Sequence, residues 1–205
     1  MGYGIEATTA DCYPGTSCLI NKLGIQDETK LAETEAAVVL GKASFLDQQP
    51  VTGKFDFTHY RSIHYFLFCD LYDWAGQIRT INISKKGTVF VSAAEIQACA
   101  DACFTRLAAF TGEGRSHQEI IEEIADFYST INMLHPFREG NGRTQRLFFT
   151  QWIRHLGYEF DLSNADLDEF MIATIYAAQG VMDPLIKFFD ETIQEPIVGA
   201  DMALQ

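Results

Sequence analysis

The stretch His135-Pro136-Phe137-Arg138-Glu139-Gly140-Asn141-Gly142-Arg143-Thr144-Gln145-Arg146 decides how this chain is read. It lies between two helical patterns. Upstream, Ser116-His117-Gln118-Glu119 is a capping box, and Ile120, Ile124, Phe127, Tyr128 and Ile131 follow at helical spacing. Pro136 disfavours helix at His135, so that helix should stop just before it. Downstream, a helix starting near Arg143 carries Leu147, Phe148, Trp152 and Leu156 inward and ends at Gly157.

The joint between these helices is built for phosphate. Gly140 and Gly142 let the backbone turn its N–H groups into a concave nest, because glycine tolerates positive φ. The nest opens a helix, so the positive end of the helix dipole adds to it. Arg143 and Arg146 share a face of the first turn, where both can fork onto phosphate oxygens. Glu139 offers a hard oxygen ligand for Mg²⁺, which commonly takes one or two carboxylates plus substrate phosphates. His135 stands at the mouth, where a neutral imidazole could take a proton from an attacking hydroxyl. Each residue alone has a plainer reading as cap, turn or solvated face; their combination within one short segment does not. Gly142-Arg143-Thr144 superficially matches the end of a Walker A loop. That loop needs a preceding strand and a lysine, and here a helix precedes and the basic residue is arginine.

The rest of the chain sets the limits. Of 205 residues, 47% are apolar and 21% charged, which suits one domain with a real core. Fifteen basic against 28 acidic residues give −13, a field that repels nucleic acid and anionic lipid without forbidding a local phosphate site. No apolar run reaches the roughly 18 residues of a membrane span, and no signal peptide is recognisable, so the expected location is the cytoplasm. Five cysteines without C-x-x-C spacing read as small core residues in a reducing compartment.

Outward from the central stretch, the expectation is mostly helix. Residues 1–26 are irregular. A helix follows Asp27 and runs to about Ser44. Thr58 caps a second, with Ile63, Phe66, Leu67 and Leu71 at helical spacing and Gly76 marking its end. Residues 79–91 read as a hairpin turning at Lys85-Lys86-Gly87. Ser92-Ala93-Ala94-Glu95 reads as a capping box for a third helix. Two helices lie beyond Gly157, one around 164–178 and one opened by Asp183-Pro184. Residues 196–205 form a tail.

The segment His135–Arg146 resembles the signature of Fic-domain proteins, H-P-F-x-[D/E]-G-N-G-R-x-x-R, at every position. Asp73-Trp74-Ala75-Gly76 through Arg79 and the hairpin resemble the family's approach to its flap. The resemblance implies a mostly α, Fic-type helical bundle over 27–195 with a small β-hairpin flap. It implies transfer of AMP from ATP to a Ser, Thr or Tyr hydroxyl of a target protein, releasing pyrophosphate. By position, His135 would be the base, Glu139 would hold Mg²⁺, and Gly140, Asn141 and Gly142 would form the anion hole. Arg143 and Arg146 would grip the β- and γ-phosphates, and Phe137 would anchor the loop. Lys85, Lys86 and Thr88 would sit at the flap that clamps the target. Tyr176 is a candidate for the adenine pocket, with a core aromatic as its equal alternative. Gly142 argues against a phosphate-transferring branch; donors such as CDP-choline or UTP stay open, as does self-modification or assembly of like copies.

Regulation is the last implication. Many Fic proteins are silenced by a helix bearing (S/T)-x-x-x-E, whose glutamate pairs with the second signature arginine, here Arg146. In the helix over 27–44, Ala32 and Ala36 occupy the two positions at that spacing. The alanines are either good helix formers or a disabled brake, and the alternative is a toxin whose antitoxin partner supplies the helix.

Overall fold

The structure is a computed structural model and describes residues 10–85, 87–163 and 165–195. Among the described residues the elements run α1 (Glu28–Gln48), α2 (Phe57–Phe68), β1 (Ser84–Lys85), β2 (Thr88–Val89), α3 (Ile96–Ala108), α4 (His117–Leu134), α5 (Asn141–His155), β3 (Glu159–Phe160), α6 (Leu167–Ala177), α7 (Asp183–Thr192) and β4 (Ile193–Gln194). The fold is mostly α, as expected. The chain divides into two compact units, one of residues 1–109 and 130–148, the other of 110–129 and 149–205. No described helix is long and apolar enough to cross a membrane.

In the first unit α1 starts where Asp27 accepts the N–H of Lys30, satisfying one orphan donor of the helix start. It runs four residues past the expected end and buries Leu31, Glu35, Val39 and Leu46 on one stripe. Helix α2 is capped by Asp56, not Thr58, through the N–H of His59. It ends at Phe68, well before Gly76: the N–H groups of Leu71 and Tyr72 both turn back to the Phe68 carbonyl. Tyr60, Ile63, His64, Leu67 and Phe68 form its buried face. Tyr60 and Phe104 meet at 5.3 Å and Tyr60 and Phe148 edge-on at 5.1 Å, which joins α2, α3 and the middle of α5 in one aromatic core.

The flap is shorter than the segment 79–91. Among the described residues the ladder pairs are Ser84↔Val89 and Lys85↔Thr88, continued by a 3.4 Å bond from Phe90 N to the Ile83 carbonyl, and Lys86 lies outside the described residues. Residues before Ile83 have other partners: Arg79 Nη1 donates to the Ile81 carbonyl at 2.6 Å, and Asn82 Oδ1 accepts from Ala93 N at 2.8 Å. Ser92 and Glu95 bond side chain to side chain, and α3 begins only after Glu95 with no side-chain cap, so that capping box is not formed.

In the second unit Ser116 and Glu119 do form their box: Ser116 N donates to Glu119 Oε2 at 2.8 Å, and Glu119 N to Ser116 Oγ at 3.3 Å. Phe170 stacks on Phe188 at 4.2 Å, packing α6 against α7. A second small ladder, Glu159↔Gln194 and Phe160↔Ile193, was not expected. Tyr176 is 48% exposed, so it is no core aromatic. Cys18 is buried, but Cys99 is exposed and the other three are intermediate, against the expectation of core cysteines. The tail 196–205 lies outside the described residues.

Candidate active site

The turn between α4 and α5 is held from beneath by aromatic stacking. Phe137 is fully buried, 3.8 Å from the His64 ring and 5.5 Å from Tyr60. Asn141 closes the turn on itself, its Nδ2 donating to the Phe137 carbonyl and its Oδ1 accepting the Phe137 N–H, both at 2.8 Å. Its side chain is therefore part of the scaffold, and its share in an anion hole would be its backbone. Gly140 has φ +82°, and a Cβ there would lie 2.3 Å from the Phe68 ring. Both conformation and space demand glycine at that point. Thr144 turns back to the Gly140 carbonyl through its N–H and its hydroxyl, each at 3.1 Å, and starts the helix.

His135 sits at the other end of the turn with φ +40°, a left-handed backbone uncommon for a side-chain-bearing residue. Two struts impose it. Arg79, itself buried, donates from Nε to the His135 carbonyl at 2.8 Å and from its backbone N–H to the Pro136 carbonyl at 2.8 Å. The Phe90 ring stacks on the imidazole at 3.8 Å, 10° from parallel. Nδ1 donates to the Asn132 carbonyl at 2.8 Å, a tautomer that puts the lone pair on Nε2. Burial pulls the His135 pKa down to about 3; the Asn132 bond opposes this, and the charges of Lys85 and then Arg79 add to it. The ring is neutral, as a proton acceptor must be.

His64 is a third strut, one that no motif in the sequence marks. Its Nδ1 accepts the N–H of Gly76 at 2.8 Å, so Nε2 donates to the Glu139 carbonyl at 3.0 Å. Burial, and secondarily the Arg143 charge, hold its pKa at about 3 against that bond. A neutral histidine with both nitrogens committed thus ties the Asp73–Gly76 segment to the turn. The signal available was a histidine at position 64 inside the apolar spacing of Tyr60, Ile63 and Leu67.

The charged groups converge on the start of α5. Glu139 accepts the Gly140 N–H at 2.8 Å and lies 3.6 Å from Arg143 Nη2, both through Oε1. Among the described residues its Oε2 takes no polar contact. A Cβ on Gly142 would be 3.4 Å from Arg146 Nη1, so the Arg146 guanidinium lies back over the turn. Arg143 stands with its guanidinium 4.9 Å from the Phe68 ring centroid, and its Nη2 bonds Glu35 Oε1 at 2.5 Å. Glu35 is the second residue missed. Ala32 and Ala36 are on the exposed side of α1, as the reading of them as plain helix formers has it; the inward positions four apart are Leu31 and Glu35. The arginine that α1 engages is Arg143, the first of the signature's two arginines. Lys85 and Thr88 are half-buried on the two flap strands, with Lys85 near enough for its charge to bear on His135.

A family model described as Fic/DOC family matches residues 54–153. The chain is 38% identical over 176 residues to a probable protein adenylyltransferase, y4lH, of Sinorhizobium fredii, covering 85% of this chain and 90% of that one. It is 32% identical over 185 residues to the probable protein adenylyltransferase Fic of Salmonella typhimurium, covering 89% and 91%. Among solved structures, BepC of Bartonella tribocorum with bound AMPPNP superposes with a TM-score of 0.83 at 28% identity, covering 91% of this chain and 97% of that one. The N-terminal Fic domain of a VirB-translocated effector of Bartonella quintana, with bound ADP, superposes equally well, at 0.83 and 29% identity, covering 91% and 95%.

Proposed function

The chain belongs to the Fic/DOC family, and from that premise we propose that it transfers AMP from ATP to a Ser, Thr or Tyr hydroxyl of a target protein, releasing pyrophosphate. One observation carries the reading. His135 is a buried neutral imidazole, its tautomer set by Asn132, placed directly before a glycine turn that opens a helix with two arginines on its first turns.

In this account Nε2 of His135 takes the proton of the attacking hydroxyl. The hydroxyl oxygen bonds to the α-phosphorus, and the bond from that phosphorus to the oxygen bridging to the β-phosphate breaks. The backbone N–H groups of Asn141 and Gly142, with the helix dipole, receive phosphate charge, and the Gly140 N–H, which Glu139 Oε1 holds in this structure, joins them once that carboxylate turns away. Arg143 and Arg146 grip the β- and γ-phosphates and hold the leaving pyrophosphate. Binding the polyanion also acts on His135: negative charge nearby favours the imidazolium, so the base strengthens only when substrate is in place.

Glu139 is the residue that would hold Mg²⁺. The fit is chemical: one carboxylate at the mouth, with Oε2 turned to no described protein group, matches an ion that takes one or two carboxylates and substrate phosphates. When bound, Mg²⁺ neutralises phosphate charge. The target would lie along the flap, with Lys85, Lys86 and Thr88 in contact. Val89, 72% exposed on a strand that among the described residues pairs on one side, supports an added strand of target there.

The test is product identity. A lysate incubated with the protein, ATP and Mg²⁺ should yield a target carrying AMP on a hydroxyl by mass spectrometry, absent with His135→Ala. A phosphoryl or another nucleotidyl group at that position would overturn the assignment.

A further inference from the structure

Glu35 stands outside the signature yet bonds one of its arginines. It is 8% exposed on the inward stripe of α1, between Leu31 and Val39, where a scaffold helix would carry an apolar side chain. A buried carboxylate is costly unless it is paired and hydrogen-bonded. Here both oxygens are used: Oε1 takes Arg143 Nη2 at 2.5 Å, and Oε2 takes the hydroxyl of Tyr72. Tyr72 is itself buried, stacked on Trp74 at 4.3 Å, and burial, then the Glu35 charge, pushes its pKa up, so it stays a donor.

The arrangement leaves Arg143 oriented and still able to bind. Its face lies over Phe68. Among the described residues its polar contacts, Glu35 at 2.5 Å and Glu139 at 3.6 Å, both fall on Nη2. The donors on Nε and Nη1 therefore remain for an anion. A guanidinium pinned on one nitrogen and one face loses little further freedom when it binds phosphate.

We propose that Glu35, held by Tyr72, is a positioning residue that presents Arg143 to the β- and γ-phosphates of ATP. The proposal rests on the phosphate-gripping role given to Arg143 above. It predicts that Glu35 acts on nucleotide binding only through that arginine.

Equilibrium binding of Mg·ATP and of AMP to the full chain, by calorimetry, tests it without needing the target protein. Arg143→Ala should weaken ATP roughly ten- to a hundredfold, the ordinary worth of a charge-assisted hydrogen bond. Glu35→Ala and the isosteric Glu35→Gln should weaken ATP by several-fold, about three to ten, and Tyr72→Phe by less. AMP, lacking the β- and γ-phosphates, should bind these variants as it binds wild type, which a general disturbance of the fold would not allow. The double variant Glu35→Ala with Arg143→Ala should bind ATP no worse than Arg143→Ala alone. If Arg143→Ala binds ATP like wild type, the phosphate role fails and the proposal falls with it. If Arg143→Ala is weakened but the Glu35 and Tyr72 variants are not, or if the losses add fully in the double variant, only the positioning role is overturned. Tighter ATP binding by Glu35→Ala would make Glu35 a competitor for the arginine, also against the proposal.

Discussion

The Phe90 ring lies 3.8 Å from the imidazole of His135 and 10° from parallel to it, so a residue just past the flap ladder fixes the histidine of the signature turn. The stack and the Asn132 bond together define which nitrogen faces a substrate and at what angle.

Removing the base and loosening it should differ. His135→Ala should lower AMP transfer by roughly 10²–10⁴-fold, the usual worth of general base catalysis, with ATP affinity little changed. Phe90→Leu keeps an apolar side chain and loses the stack. It should lower kcat by about tenfold or less, again with ATP affinity unchanged. A Phe90→Leu change that moves only ATP affinity would place the ring in nucleotide binding.

The two buried histidines make stability depend on pH. Both have folded pKa values of about 3, against an ordinary value near 6.5. Between those values the unfolded chain binds protons that the folded chain does not, so stability rises with pH across that window and falls on acidification. His64→Gln removes one such site. Its unfolding free energy should fall less steeply between pH 6 and 4, by up to about 1.4 kcal/mol per pH unit. Denaturant titrations at several pH values measure the slope, and equal slopes would mean that His64 is protonated in the fold.

Gly140→Ala should be among the most damaging small changes. It puts a Cβ 2.3 Å from the Phe68 ring at a φ of +82°. The backbone term is about 1–2 kcal/mol, and overpacking adds about 1–3. Adding Phe68→Leu should recover part of the thermal stability, because it relieves the clash but not the backbone strain. No recovery would mean that the dihedral alone sets the cost.

The flap offers a probe of target binding. Val89 is exposed, whereas Val91 N donates to the Met133 carbonyl at 3.0 Å. Proline at 91 would therefore break a bond of the fold. Val89→Pro should reduce labelling of target protein by several-fold while ATP affinity holds. Equal losses in both would count against an added strand.

The parts of the site that were legible in the sequence are those packed into consecutive residues. The turn from His135 to Arg146 and the end of α4 before Pro136 follow from local rules. The residues that came from far along the chain were not. Glu35 and His64 reach the turn across 108 and 75 positions, and no spacing rule links them to it. Both broke an apolar stripe, which was a usable sign. On α1 the buried stripe runs through 31 and 35 and not through 32 and 36, and a shift of one residue rotates a helix face by about 100°. The expected flap is too long because alternation at Thr80–Ile83 suggests a strand, while Arg79 takes the Ile81 carbonyl and the Asn82 side chain is turned to the Ala93 N–H.

The bond of ATP that breaks decides the reaction. With the β- and γ-phosphates held at the start of α5, a hydroxyl activated by His135 meets the α-phosphorus. Parallel reactions with ATP labelled at the α- or the γ-phosphate, followed by counting of label on protein, test this directly. The account predicts label on protein from the α-position, none from the γ-position, and loss of the α-signal with His135→Ala. Label from the γ-position with none from the α-position would contradict it.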